Sequence, residues 1–323
     1  MYFNHYTDEE KNEIVKQLKT NTEQIAADDY KKLYLAITTD MDNIKPLSPI
    51  GLKFIEHFVH NELLNTKSKH GISFYDFWYN RDFYMTRDQS TKNLIKSINT
   101  NKPYLSEIKV AKQVFNLYYG GISILRPTVA ARLYAQYKPT TILDFTMGWG
   151  GRLVGAHILK VSKYIGIDSN MNLVEPYAKM REFLQKESNN ETAIELHFKD
   201  ALSIDYSTMT YDMVFTSPPF YNKELYGDKM VKMTTQEWDN NFYIPLFKKT
   251  MANLAPGGHY CLLIPVQLYE NVCIPLFGPA QEQIELKKYA RILPKKEQKQ
   301  TNVGQKYKEF IYVWKGNQGS LSK

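Results

Sequence analysis

Tyr211-Asp212-Met213-Val214-Phe215-Thr216-Ser217-Pro218-Pro219-Phe220 is an apolar run that ends in a polar, proline-stiffened corner. The run reads as a short buried strand. Two consecutive prolines remove two backbone donors and fix φ, so the chain must leave that strand in one defined direction. A hydroxyl, two carbonyls and an aromatic ring are thereby held together at a strand's C-terminal end, the edge where open α/β sheets bind their ligands. The fold turns on whether the neighbouring segments supply the strands and crossover helices of such a sheet.

The segments on either side do. Upstream, Arg126-Pro127-Thr128 opens a helix over 127–137, with proline where its missing donor is no loss. Thr140-Thr141-Ile142-Leu143-Asp144 reads as a strand, and Gly148-Trp149-Gly150-Gly151-Arg152 as a tight turn into a helix over 153–159. Strands are predicted at 164–168 and 197–200, with a helix over 173–187 between them. Downstream of Phe220 come a polar loop to about Glu237, a helix over 238–254 and a fifth strand over 259–264, and 309–314 reads as the last strand. This alternation predicts a doubly wound, Rossmann-like parallel α/β sheet.

The first 120 residues follow a different pattern. Thr7-Asp8-Glu9-Glu10 is a capping signal, and apolar residues recur at helical spacing to about residue 45, again over 54–63 and again over 109–118. A boundary near residue 120 is therefore expected: a mostly helical region over 1–120 as a candidate for nucleic-acid recognition, the sheet domain over 121–316, and a tail over 317–323. Phe74-Tyr75-Asp76-Phe77-Trp78-Tyr79 can be a stacking surface for bases or a filling for the junction between helices and sheet; aromatic rings serve packing more often.

Charge is unevenly placed. The net charge is +7, from 41 Lys plus Arg against 34 Asp plus Glu, yet residues 287–323 alone hold 10 basic and 2 acidic side chains. Lys295, Lys296, Lys299, Lys306 and Lys308 in that stretch, with Lys223, Lys229 and Lys232 in the loop after Phe220, can track phosphates or simply be a solvated face. Two cysteines, Cys261 and Cys273, give neither a disulfide framework nor a zinc site. His57 and His60 share a helix face without further ligands, so no metal is expected. No apolar run approaches the ~20 residues of a membrane span, and no signal-peptide core opens the chain; a cytoplasmic protein with no membrane partner is expected. The sequence leaves the oligomeric state open.

Asp144-Phe145-Thr146-Met147-Gly148-Trp149-Gly150 fits Asp-x-x-x-Gly-x-Gly directly after a strand, where glycines let the backbone approach a ligand closely. Asp168 ends the next strand, where a carboxylate can accept hydrogen bonds from both hydroxyls of a ribose. A dinucleotide site would use the same acid but wants a third glycine, and Leu153 stands there.

Ser217-Pro218-Pro219-Phe220 in this setting resembles motif IV of the S-adenosylmethionine-dependent amino-methyltransferases, which methylate exocyclic nitrogens of adenine or cytosine in DNA. The resemblance runs over about residues 122–315 in the motif order X, I, II, III, IV. Most DNA-modifying relatives carry Asp or Asn at the first position and Tyr at the last, so Ser217 and Phe220 are departures. With Glu224 and Tyr226, the pattern Ser-Pro-Pro-Phe-x-x-x-Glu-x-Tyr is similar to methylase-like proteins of phages and large DNA viruses.

The resemblance implies S-adenosylmethionine as cofactor, with Arg126 and Pro127 at its methionine end, Asp144, Thr146, Gly148 and Gly150 forming its bend, Asp168 on the ribose and Asp200 at the adenine amino group. Asp200 can equally be a solvated loop acid. The resemblance implies catalysis by Ser217, Pro218, Pro219 and Phe220, with DNA as the partner. RNA, a capped messenger's terminal adenosine included, and a protein amide are alternative acceptors, although a glutamine-directed enzyme would be expected to carry Asn where Ser217 stands. An inactive nucleic-acid-binding or assembly protein is the alternative from another class.

Overall fold

The structure, a computed structural model, describes residues 6–19, 21–45, 48–68, 70–120, 122–187, 192–221, 224–225, 233–286 and 309–316. Its centre is a seven-stranded sheet of β2 (Thr141–Asp144), β3 (Lys163–Asp168), β4 (Ala193–Phe198), β5 (Tyr211–Thr216), β7 (Leu254–Ile264), β8 (Glu282–Leu286) and β9 (Glu309–Lys315), while β1 (Lys67–Ser68) and β6 (Glu224–Leu225) form a separate two-stranded ribbon. The order in the large sheet is β4-β3-β2-β5-β7-β9-β8. The first five are parallel, and β9 runs antiparallel to both β7 and β8.

The doubly wound α/β sheet is as expected, and it is mixed instead of wholly parallel because β9 lies antiparallel between β7 and β8. β8, absent from the sequence reading, is an edge strand in which Ile284 and Leu286 alternate with polar Glu282, Gln283 and Glu285, the composition that protects an exposed edge. Chain order reverses between β2 and β5, which makes the gap between their C-terminal ends the topological switch point of the sheet.

The α-helices among the described residues are α1 (Asp8–Leu18), α2 (Glu23–Asp40), α3 (Leu52–Asn65), α4 (Phe74–Tyr79), α5 (Arg81–Thr86), α6 (Gln89–Asn101), α7 (Glu107–Val114), α8 (Pro127–Tyr137), α9 (Gly151–Ile158), α10 (Val174–Glu187), α11 (Thr235–Trp238), α12 (Ile244–Ala252), α13 (Val266–Leu268) and α14 (Ile274–Phe277). Thr7 caps α1 with the expected reciprocal pair of bonds to Glu10. The helix expected over 238–254 begins earlier and is interrupted: α11 and α12 are joined by a π-helical turn, Asp239–Tyr243. Pro245 explains the interruption, since it has no N–H for the regular ladder and the turn widens before it.

Packing crosses residue 120. Ala26, Tyr30, Leu33 and Ile37 of α2 and Phe54, Ile55 and Val59 of α3 share a buried cluster with α8, α9, α10 and the sheet. The rings over 74–79 do something else: Phe74, Tyr75 and Phe77 are buried with Tyr84, Phe115 and Tyr119 in a core made only of residues 14–119. They are the interior of the helical region, and the junction with the sheet belongs to α2 and α3. Among the described residues no helix is long and apolar enough to cross a membrane.

Candidate active site

Two loops meet at the switch point, one after β2 and one after β5, and a network of buried polar groups locks them together. Asp144, with no exposed surface, accepts from Arg152 Nε and Tyr164 Oη at 2.6 Å each through Oδ2, and from Thr216 Oγ1 at 2.9 Å through Oδ1. Arg152 also donates to the Thr146 carbonyl, and the hydroxyls of Thr146 and Thr216 lie 2.6 Å apart. Burying a carboxylate is unfavourable unless it is paired and hydrogen-bonded; here the bonds to Thr216 tie the β5 loop to the β2 loop, while Arg152 and Tyr164 satisfy the remaining Asp144 oxygen from α9 and β3. The Asp144 carboxylate is thus turned into the protein; what it offers a ligand is the shape of the loop.

That shape depends on two glycines. Gly150 caps α9 with φ of +99°, a left-handed conformation that side chains disfavour, and a Cβ there would sit 2.9 Å from Met180 Cε. At Gly151 a Cβ would fall 1.9 Å from the carbonyl oxygen of Leu125, so the strand of chain leading into α8 crosses directly over the start of α9. This crossing brings Arg126, the N-cap of α8, and the buried Pro127 at its first position beside the glycine bend. Arg126 Nε is buried with no hydrogen-bond partner among the described residues.

Asp168, half-buried at the end of β3, closes the other side. Its Oδ2 accepts from Gly148 N and its Oδ1 from Asn170 N, both at 2.9 Å. Removal from water pushes its carboxyl up to about 6, and the two amide bonds oppose the shift. Tyr177 Oη holds the bend from behind through the carbonyls of Met147 and Gly148. Asp200 lies two residues past β4, exposed, and accepts from Leu202 N at 2.9 Å as the cap of a short 3-10 turn.

Thr216 ends β5 and Ser217-Pro218-Pro219-Phe220 follows at the same edge. Pro218 is buried, whereas Ser217, Pro219 and Phe220 are partly exposed. Tyr243, fully buried in the π turn, donates to the carbonyl of Pro219 and accepts from Tyr221 N at 3.0 Å. Tyr221 has a positive φ of 52°, an uncommon conformation for a side-chain-bearing residue that this clamp holds in place. Tyr243 takes the carbonyl of Pro219 and leaves that of Pro218 to other donors.

The structure places Thr146, Gly148, Gly150, Asp168 and Ser217 at the same C-terminal edge of the sheet. The sequence reading missed Arg152 and Thr216 as partners of Asp144, although both stand inside the quoted motifs, and it missed Tyr243, for which Pro245 inside a helical run was the available signal. Lys223, Lys229, Lys232, Lys295, Lys296, Lys299, Lys306 and Lys308, Tyr226, and the tail over 317–323 lie outside the described residues.

No protein-family model and no curated protein matches the chain. Among solved structures the chain is similar to TrmN from Thermus thermophilus, at 17% identity over 59% of this chain and 49% of that one, with a TM-score of 0.38. It is similar to an rRNA methylase from Streptococcus thermophilus, at 15% identity over 61% and 100% with a TM-score of 0.38. It is also similar to a SAM-dependent O-methyltransferase from Thermotoga maritima, at 13% identity over 62% and 69% with a TM-score of 0.37. At such identities and scores none of them assigns a substrate or a site residue to this chain.

Proposed function

We propose that the chain is an S-adenosylmethionine-dependent methyltransferase acting on the exocyclic amino group of a nucleic-acid base, adenine N6 or cytosine N4 of DNA. The observation that carries this reading is the 2.6 Å contact between Thr146 and Thr216, which fastens the glycine bend after β2 to the residue immediately before Ser217. A nucleoside-binding bend and an acceptor-rich corner are thereby adjacent at the switch point.

The residues present fit the donor. Asp168 is suited to the ribose hydroxyls, the side-chain-free bend at Gly148 and Gly150 to close backbone approach, and the unpartnered Arg126 Nε to the carboxylate of the methionine end. Bound there, the donor supplies a methyl group made electrophilic by its sulfonium. The protein's part concerns the amine, whose lone pair is delocalised into the base. Ser217 Oγ and the Pro218 carbonyl accept its two N–H bonds and draw it towards tetrahedral geometry, so that the lone pair becomes available in line with the methyl. Phe220 stacks on a base that has left the helix or was never paired. A serine hydroxyl does not hold the surplus proton, which passes to water after transfer.

The test is competitive transfer of tritiated methyl from S-adenosylmethionine to DNA, RNA and protein by the purified chain. Label in DNA supports the reading; label only in RNA keeps the chemistry and changes the acceptor; label only in protein overturns it.

A further inference from the structure

The helical region reaches the site at two points, and a single short segment makes both contacts. At the donor side, Glu62 of α3 accepts through Oε1 from Asn170 Nδ2 at 2.9 Å and Asn172 Nδ2 at 3.4 Å. Asn170 is the residue whose N–H binds Asp168, and its own Oδ1 accepts from Asn172 N at 3.1 Å, which fixes the orientation of the amide. A hydrogen-bonded chain therefore runs from Glu62 through Asn170 to Asp168 and on to Gly148. At the acceptor side, β1 pairs antiparallel with β6, Lys67 opposite Leu225 and Ser68 opposite Glu224, just past the Ser217–Phe220 corner. Ser68 is buried, and its N–H bonds the carbonyl of Ile72 at 3.0 Å, so β1 is anchored in the helical region.

We propose that Glu62 is a positioning residue for the donor site and that residues 62–68 tie the donor and acceptor halves of the cleft together, which makes the helical region part of the catalytic unit. This rests on the reading that the cleft binds S-adenosylmethionine. The carboxylate of Glu62 stiffens the turn that aims Asp168, and the short stretch that follows it transmits that order to the β1–β6 pairing. Fully extended, seven residues span at most about 25 Å, so the two contacts cannot move independently over long distances.

The experiment uses the full chain as wild type, Glu62→Gln and Glu62→Leu. Glutamine keeps an acceptor oxygen and leucine does not. Calorimetry with S-adenosylmethionine is expected to give a Kd within about threefold of wild type for Glu62→Gln, which keeps the acceptor oxygen, and about tenfold weaker for Glu62→Leu, which leaves the Asn170 and Asn172 amides without it. Hydrogen exchange is expected to slow at 66–68 as well as at 144–150 when donor is added to wild type, and at 144–150 alone in Glu62→Leu at saturating donor. A merely structural contact would lower the melting temperature without changing Kd or this pattern. Equal Kd for wild type and Glu62→Leu, or donor protection that never reaches 66–68 in wild type, overturns the inference alone. A wild-type chain that binds no donor overturns it together with the proposed function.

Discussion

A hydroxyl accepts hydrogen bonds more weakly than a carboxylate, so in the proposed reaction Ser217 acts by placement more than by charge. Ser217→Ala should lower kcat on the order of 10²-fold and leave donor affinity unchanged, read by single-turnover kinetics beside calorimetry. Tyr243→Phe frees the Pro219 carbonyl and the Tyr221 N–H together and should lower kcat about tenfold through misalignment, with donor affinity again unchanged. Asp168 makes a prediction with two opposite slopes. Its carboxyl is pushed up to about 6, above the ~3.9 of a free aspartate, so its contribution to apo-protein stability is complete below about pH 4 and is lost as pH rises through about 6. In the proposed ribose role, donor binding needs the ionised form and should strengthen over that same interval. Asp168→Asn should flatten both profiles, measured by thermal unfolding and by calorimetry from pH 4.5 to 8; donor affinity that does not change with pH would contradict the ribose role.

Among the elements, the two loops at the switch point differ in how much of them the sequence disclosed. The bend over 144–150 was legible because glycines after a strand and an acid at the end of the next strand are local patterns. The network beneath it was not, because Asp144, Arg152, Tyr164 and Thr216 come from four separate elements and their contacts exist only once the sheet is assembled. The same limit hid Glu62, which lies more than a hundred residues from the asparagines that it holds. The π turn before Pro245 and the edge strand β8 were missed for local reasons: the apolar spacing carries a helix over 238–254 unbroken through Pro245, and β8 has only two inward apolar side chains. The buried ion pair gives a sharp stability prediction. Arg152→Met leaves the Asp144 charge buried without its cation and should destabilise the fold by about 3–5 kcal/mol, measured by denaturant unfolding. A loss below about 1 kcal/mol would show that the loops are held by other contacts.

For the whole molecule, the helical region and the sheet share a core through α2 and α3, and the candidate site lies where the sheet changes direction, with the helical region bonded to the loop after β3 and paired with residues 224–225. The ribbon β1–β6 pairs residues 224–225 with the helical region four residues past Phe220. The proposed chemistry leaves a mark on its substrate that no binding protein leaves. Nucleosides from unmethylated DNA incubated with the chain and isotopically labelled S-adenosylmethionine, resolved by mass spectrometry, test it most directly. N6-methyladenine or N4-methylcytosine carrying the label with wild type, and at least about 10²-fold less with Ser217→Ala, is the result predicted. Labelled nucleoside formed equally by both, or by neither, would contradict it.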